Sequence, residues 1–251
     1  MTTLMAFILG IVEGMTEFLP VSSTGHLILA SNALGIENND FLKLFEIVIQ
    51  TGAIFAIIFI YFKELWADKT YVIKLAVAFF PTGVLGLVAY PIIKKYLFTP
   101  EVVVGALFIG GIVLIFLEQF TARIPERKQT YPRLFLLGIF QCLAFIPGVS
   151  RSASTILGAK LLGASRAEAV KFSFLLAIPT ILSASGYSLL KVNHALTMDE
   201  IWYLVVGLVT SFVFGYISVK IFLKLLDKKA FVICGVYRII FALIYFFVFI
   251  R

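Results

Sequence analysis

Charge is scarce in this chain: Asp, Glu, Lys and Arg make up 14% of 251 residues, while 61% are hydrophobic. That balance excludes a water-soluble globular domain and indicates an integral membrane protein. Strand-like alternation of polar and apolar residues is also missing, which excludes a membrane β-barrel. Cysteine occurs only twice, as Cys142 and Cys234, both in apolar helical runs. A disulfide framework is thereby excluded, and two buried free thiols are expected. The start MTTLMAFILG carries no basic stretch and Glu13 interrupts it early, so no cleaved signal peptide is expected. The net charge of +7 is assigned to membrane loops, and no nucleic-acid partner is expected.

What the chain does have is long apolar runs, at about 44–62, 70–90, 102–120, 172–190, 201–223 and 231–250, each of spanning length at roughly twenty residues per crossing. Two further stretches differ: GIVEGMTEFLPVSSTGHLIL at 10–29 and GIFQCLAFIPGVSRSASTIL at 138–157. At an offset of 128, Gly10, Ile11, Val21, Ser22, Ile28 and Leu29 match Gly138, Ile139, Val149, Ser150, Ile156 and Leu157. Glu13 then faces Gln141, and Thr24 faces Ser152. Each stretch reads as an apolar half-helix, a proline with hydroxyl residues, and a second half-helix. Neither half is long enough to cross alone, so each is expected to enter the bilayer and return.

Loop charge favours that topology. With both motifs re-entrant, one face carries only Lys43, Lys94, Lys95, Lys191 and Arg251, against fourteen Lys and Arg on the other, with Arg151 and Arg238 left inside. If each motif crossed once, the division would be nine against ten. Cytoplasmic loops carry the excess, so the re-entrant arrangement is preferred and both termini are placed outside. Each half (1–120, hairpin about 4–35, and 128–251, hairpin about 133–163) then holds one hairpin and three spans. An odd number of crossings inverts the second half relative to the first. The fold expected is an all-α membrane domain, an inverted repeat of six spans and two re-entrant hairpins that meet near the midplane.

The costly polar groups sit in those two breaks. Glu13 and Glu17 are four residues apart and share a helix face. Intramembrane acids are functional by default, here as ligands of a divalent cation, as proton carriers or as a general base. His26 follows Ser22, Ser23, Thr24 and Gly25 and is a candidate catalytic group, whereas His194, in a polar turn, is expected to be solvated. Arg151 lies in Pro147-Gly148-Val149-Ser150-Arg151-Ser152-Ala153-Ser154-Thr155. A buried guanidinium needs an anion: a phosphate, a carboxylate, or an ion pair with Glu13 or Glu17 that substrate displaces. The free N–H groups of the half-helix that follows suit a phosphate. Glu46 and Gln50, one turn apart on the next helix, are read either as supports of the site from behind or as ordinary helix-packing polar residues, and Gln141 is expected among the supports. Arg238 calls for a buried acid or a phosphate, and the Phe-rich tail at 241–249 for a lipid-facing surface. Taken together these groups suit a phosphorylated lipid whose tail stays in the bilayer.

ExxxE followed by FLPVSSTGH, from Glu13 to His26, and PGVSRSAST, from Pro147 to Thr155, resemble the undecaprenyl-pyrophosphate phosphatase family of bacitracin-resistance proteins. FEIVIQTGAI at 45–54 and FSFLLAIPTIL at 172–182 extend the resemblance over nearly the whole chain. One departure is Ala153, where the family usually has glycine. The resemblance implies hydrolysis of undecaprenyl pyrophosphate to undecaprenyl phosphate and inorganic phosphate, which recycles the carrier for peptidoglycan synthesis. It implies a magnesium or calcium ion, no organic cofactor, and a site open to the outer face of the bacterial cytoplasmic membrane. On this reading Arg151, Ser150 and Thr155, with Ser22, Thr24 and Ser152, bind the pyrophosphate, and Glu13 and Glu17 hold the cation or activate the nucleophile. The nucleophile is Ser23, His26 or water. A homodimer and flipping of the product across the membrane are left open. A small lipid or ion transporter is the competing reading. The other class of integral-membrane lipid phosphatases needs a late His with an Asp four residues on, and His194 has Met198 there.

Overall fold

The computed structural model describes residues 1–97, 99–191, 195–226 and 229–251. His194 and Lys228 lie outside the described residues, as do the side chains of Lys94 and Lys95. The described chain is all-helical. In order come α1 (Thr3–Thr16), α2 (Ser23–Ala33), α3 (Asp40–Ala67), α4 (Lys69–Tyr96) and α5 (Pro100–Thr121). Then follow α6 (Tyr131–Gln141), ending in a 3₁₀ turn (Cys142–Phe145), α7 (Arg151–Leu161), α8 (Arg166–Leu190), α9 (Met198–Lys224) and α10 (Ala230–Tyr245). The last of these runs on through a π turn, Phe246–Ile250.

Six helices are long and apolar enough to cross a membrane: α3, α4, α5, α8, α9, and α10 with its π turn. Their polar ends are fixed by caps. Asn39 accepts from Leu42 N at 2.8 Å at the start of α3, and Ser165–Glu168 and Thr197–Glu200 form capping boxes on α8 and α9. The four remaining helices hold 11 to 14 residues. At 1.5 Å per residue they reach roughly 16–21 Å, well short of a ~30 Å hydrocarbon core.

The two breaks share one backbone. Helices α2 and α7 start and stop at positions 128 apart, capped by Ser22 and Ser150 and closed by Gly35 (φ 65°) and Gly163 (φ 88°). In each closing turn the residue after the glycine bonds back over five positions: Ile36 N to Ser31 O at 3.0 Å, and Ala164 N to Ala159 O at 2.9 Å. Each pair of short helices brings its ends together. Arg127 N, ahead of α6, donates to Gly163 O, just past α7, at 2.8 Å. Met1, Thr2 and Met5 line one cleft with Gly35, Ile36 and Asn39.

Helices from the two halves interleave. Helix α1 packs on α9 and α6 packs on α4, while α3 meets α8 and α5 meets α10. Bilayer lipid gives apolar helices no hydrophobic reason to associate, so close backbone approach does the work. A Cβ on Gly14 would stand 2.6 Å from Ser211 O, and one on Gly138 2.1 Å from Ala78 O. Gly111 and Gly235 cross face to face, each leaving a prospective Cβ within 2.7 Å of the other's carbonyl. The core joins Phe18 and Val21 of the first break to Ile156 of α7 and Phe174 of α8. Outside, Phe59, Trp66, Ile109, Ile233 and Phe247 are exposed, as a lipid-facing surface requires. Both cysteines are free, Cys234 buried and Cys142 half-buried.

Candidate active site

Serine is the residue that bends both breaks. Ser22 (φ 74°) and Ser150 (φ 78°) are the two non-glycine residues with positive φ among the described residues. Such a conformation costs about 1–3 kcal/mol and persists only where its surroundings enforce it. Each serine caps the helix after it: Ser22 Oγ accepts from Gly25 N at 3.3 Å, and Ser150 Oγ from Ala153 N at 3.2 Å. The caps aim the N-termini of α2 and α7, with their unpaired N–H groups, toward one space.

That space is a cavity of about 160 Å³ whose polar lining includes Glu17, Ser22, Ser23, Thr24, Gln50, Gln141, Ser150 and Arg151, with Phe145, Ile146, Pro147 and Ile181 among its apolar walls. Glu17 is its hub. Its Oε1 accepts from Arg151 Nη2 at 2.6 Å and its Oε2 accepts from the Ser23 hydroxyl, so one carboxylate joins the first break to the second. Arg151 Nη1 donates to Ser173 O on α8 at 2.7 Å, and its guanidinium lies over the Phe18 ring, 5.9 Å from the centroid. Arg151 Nε has no partner. Of the two ion pairs open to Arg151 in the sequence, the one with Glu17 is present.

Glu13 does not line the cavity: it is fully buried one turn before Glu17, and neither of its carboxylate oxygens has a partner. Two unpaired oxygens in a buried carboxylate fit a hard cation. No group of three His, Cys, Asp or Glu able to hold a metal exists among the described residues. A magnesium- or calcium-type ion there would draw its remaining ligands from water and phosphate oxygens, the usual coordination of magnesium at phosphate sites.

Several expected site residues do not line the cavity. Ser152 Oγ donates to Leu19 O at 2.8 Å and pairs with Ser150 Oγ at 3.0 Å. Thr155 Oγ1 pairs with Ser173 Oγ at 2.6 Å and donates back to Arg151 O at 2.8 Å. Both hold the second break against its neighbours. Glu46 accepts from Ser31 Oγ at 3.1 Å, tying α3 to α2, whereas Gln50 and Gln141 reach the cavity itself. His26 is buried outside it, with Nδ1 2.8 Å from Ser22 O and Nε2 2.9 Å from Tyr237 Oη.

Arg238 corrects the expectation of a buried acid or phosphate. Its guanidinium is fully buried and donates to five backbone carbonyls. They are Leu107 (3.2 Å) and Ala106 (3.0 Å) on α5, Pro20 (3.1 Å) in the first break, and Gly148 (2.7 Å) and Val149 (3.0 Å) in the second. Carbonyl dipoles stabilise the charge, and both loops are fastened to α5.

Unforeseen are the threonine partners of Gln141 beside the cavity. Gln141 Nε2 donates to Thr82 Oγ1 at 2.8 Å, Thr82 Oγ1 donates to Gly138 O at 2.9 Å, and the Thr180 hydroxyl, which donates to Leu176 O at 2.8 Å, lies 3.4 Å from Gln141 Oε1. Each threonine follows a proline inside a spanning helix, Pro81 and Pro179. That Pro-Thr pair was the available signal, since an interior proline disrupts the helix ladder and threonine offers a replacement donor.

Comparison with known proteins places the chain in a family. The family model for bacitracin resistance protein BacA matches residues 6–244. The chain belongs to that family. A relative from Wolinella succinogenes named undecaprenyl-diphosphatase is 49% identical over 248 residues, covering 96% of each chain. One from Aquifex aeolicus with the same name is 45% identical over 250 residues and 98% of each chain. A third, from Campylobacter jejuni, is 44% identical over 258 residues, 99% of this chain and 95% of its own. The family model takes in both breaks, all the cavity residues and Arg238.

Proposed function

We propose that this chain is a membrane-embedded hydrolase that converts undecaprenyl pyrophosphate to undecaprenyl phosphate and inorganic phosphate. The observation that carries the reading is the Glu17 carboxylate, bonded at once to Ser23 and to Arg151 across two helix N-termini. In the reaction the pyrophosphate enters with its terminal phosphate between the two breaks. Arg151 turns toward the phosphate oxygens, with the α2 and α7 N–H groups and Ser150 completing the cradle. Ser23 Oγ attacks the terminal phosphorus as its proton passes to Glu17. The bond from phosphorus to the bridging oxygen breaks, Glu17 passes the proton on to that oxygen, and undecaprenyl phosphate leaves. Water, deprotonated by Glu17, then attacks the phosphoserine, freeing phosphate and restoring Ser23. Glu13 and Glu17 would hold a magnesium or calcium ion, which when bound neutralises charge on the phosphate oxygens. Arg151 supplies the same neutralisation from the second break.

The topology belongs to the same proposal: two re-entrant hairpins, an inverted repeat, and a site opening on the outer face of the cytoplasmic membrane. Support comes from the ends of the hairpins. Lys171, early in α8, pairs with Glu64 near the end of α3, so the α6–α7 pair opens beside that end. The α1–α2 pair opens beside residue 39, at the other end of a helix 28 residues long. The loop-charge imbalance makes the Lys171 end cytoplasmic.

The test is phosphate release from undecaprenyl pyrophosphate by purified protein in detergent. Release should stop in EDTA, return with magnesium or calcium, and be lost in Ser23→Ala and Arg151→Ala. No release from folded wild-type protein across several metals and prenyl pyrophosphates would defeat the reading and favour a transporter.

A further inference from the structure

The two bent serines are held by the same device built from different side chains. The Ser150 carbonyl accepts from Ser154 N at 3.0 Å and from the Ser154 hydroxyl at 2.9 Å. The Ser22 carbonyl accepts from His26 N at 3.0 Å and stands 2.8 Å from His26 Nδ1. His26 and Ser154 are 128 positions apart, as are the serines they hold. A hydroxyl does in the second break what an imidazole does in the first. The shared task therefore calls for a hydrogen-bond donor and not for an ionisable ring.

A carbonyl oxygen only accepts, so His26 Nδ1 carries the hydrogen. Nε2 lies 2.9 Å from Tyr237 Oη, and the ring stacks on Phe241 with centroids 4.3 Å apart and planes within 7°. Both nitrogens are thus engaged, one by a backbone carbonyl and one by a phenol, on the side of α2 away from the cavity lining. Tyr237 also adjoins Arg238 in α10, and Arg238 holds the Pro20 carbonyl on the other side of the same turn.

We infer that Tyr237 is a positioning residue: its hydroxyl donates to Nε2 of a neutral His26 and fixes the Nδ1–H tautomer. His26 in that form holds the Ser22 carbonyl, and the turn presents Ser23 to Glu17. Consecutive residues of α10 thus pin both flanks of the bend. The inference rests on the proposed site only for its consequence in catalysis. The tautomer itself is independent of what the protein hydrolyses. An ionised ring would place N–H groups on both nitrogens and make the phenol an acceptor. Loss of the phenol leaves a neutral ring free to exchange tautomers, and the Nε2–H form turns a lone pair toward the Ser22 carbonyl.

The test combines nitrogen-15 NMR of the labelled histidine rings with steady-state kinetics on undecaprenyl pyrophosphate. The His26 signals are assigned by their loss in His26→Asn. Wild type should show Nδ1 protonated and Nε2 bare. Tyr237→Phe should move the Nε2 signal and lower kcat roughly 3- to 10-fold, the worth of one neutral hydrogen bond, at unchanged KM. His26→Asn, which keeps an N–H donor, should stay within about 10-fold of wild type, while His26→Leu of similar thermal stability should fall well below it. A doubly protonated or Nε2–H ring in the wild type would overturn the inference. So would Asn and Leu variants that are folded and equally inactive, the signature of an imidazole that transfers protons itself. If wild type releases no phosphate, the proposed function fails, while the NMR result still decides the tautomer.

Discussion

At the scale of single residues, the site turns on one carboxylate with two duties. Glu17 accepts a hydrogen bond from Ser23 and balances Arg151, so on the proposed mechanism Glu17→Gln removes a base and an anion together. Phosphate release should fall about 10²–10⁴-fold, the range for a lost general base. Wild type quenched in acid during turnover of terminally labelled substrate should yield acid-stable label on Ser23, and Glu17→Gln little or none. Acid-labile label would point to His26, and no label to direct attack by water. Glu17 and Arg151 were legible in the sequence because a charge buried in a membrane must find a counter-charge. Arg238 obeys a different rule. Its partners are five carbonyls, which every residue carries, so nothing in the side-chain pattern named them. The Ser173 carbonyl under Arg151 was hidden for the same reason.

At the scale of elements, the six spans were readable because apolar runs of that length have one stable form in a bilayer. The run at 172–190 misses the start of α8 at Arg166, because the first turn is a polar capping box that carries no hydropathy signal. Less readable was which helix lies on which. Packing depends on glycines whose missing side chains carry no hydropathy signal. Gly138→Ala should separate α6 from α4, since its Cβ would stand 2.1 Å from Ala78 O. A cost of about 1–3 kcal/mol, typical of overpacking, should appear as a lower melting temperature in detergent. Arg238→Met should cost more. It takes a donor from the three carbonyls of the breaks, Pro20, Gly148 and Val149, and each unsatisfied buried group costs about 1–3 kcal/mol, whereas Ala106 and Leu107 keep their helical donors in α5. Arg238→Lys, with three donors for five acceptors, should fall between Met and wild type in melting temperature.

At the scale of the whole molecule, the proposed mechanism divides catalysis between two halves of similar local form and different chemistry. The first break carries acids and the serine proposed as nucleophile; the second, with Gln141 where the first has Glu13, carries the arginine. A site built on one half would need only one break, whereas Glu17 and Arg151 meet from both. The proposed topology is checked by labelling from outside in a cysteine-free background. A cysteine at position 38 should react with a membrane-impermeant maleimide in intact cells, and one at position 128 only after the membrane is opened. The most direct test of a single shared site is the double-substitution cycle between Ser23→Ala and Arg151→Met, read as kcat/KM for phosphate release from undecaprenyl pyrophosphate. Residues that serve one transition state lose together, so each single change should cost roughly 10²-fold or more and the pair about as much as the worse of the two. Losses that multiply, or full activity in either single variant, would contradict an active site assembled from both breaks.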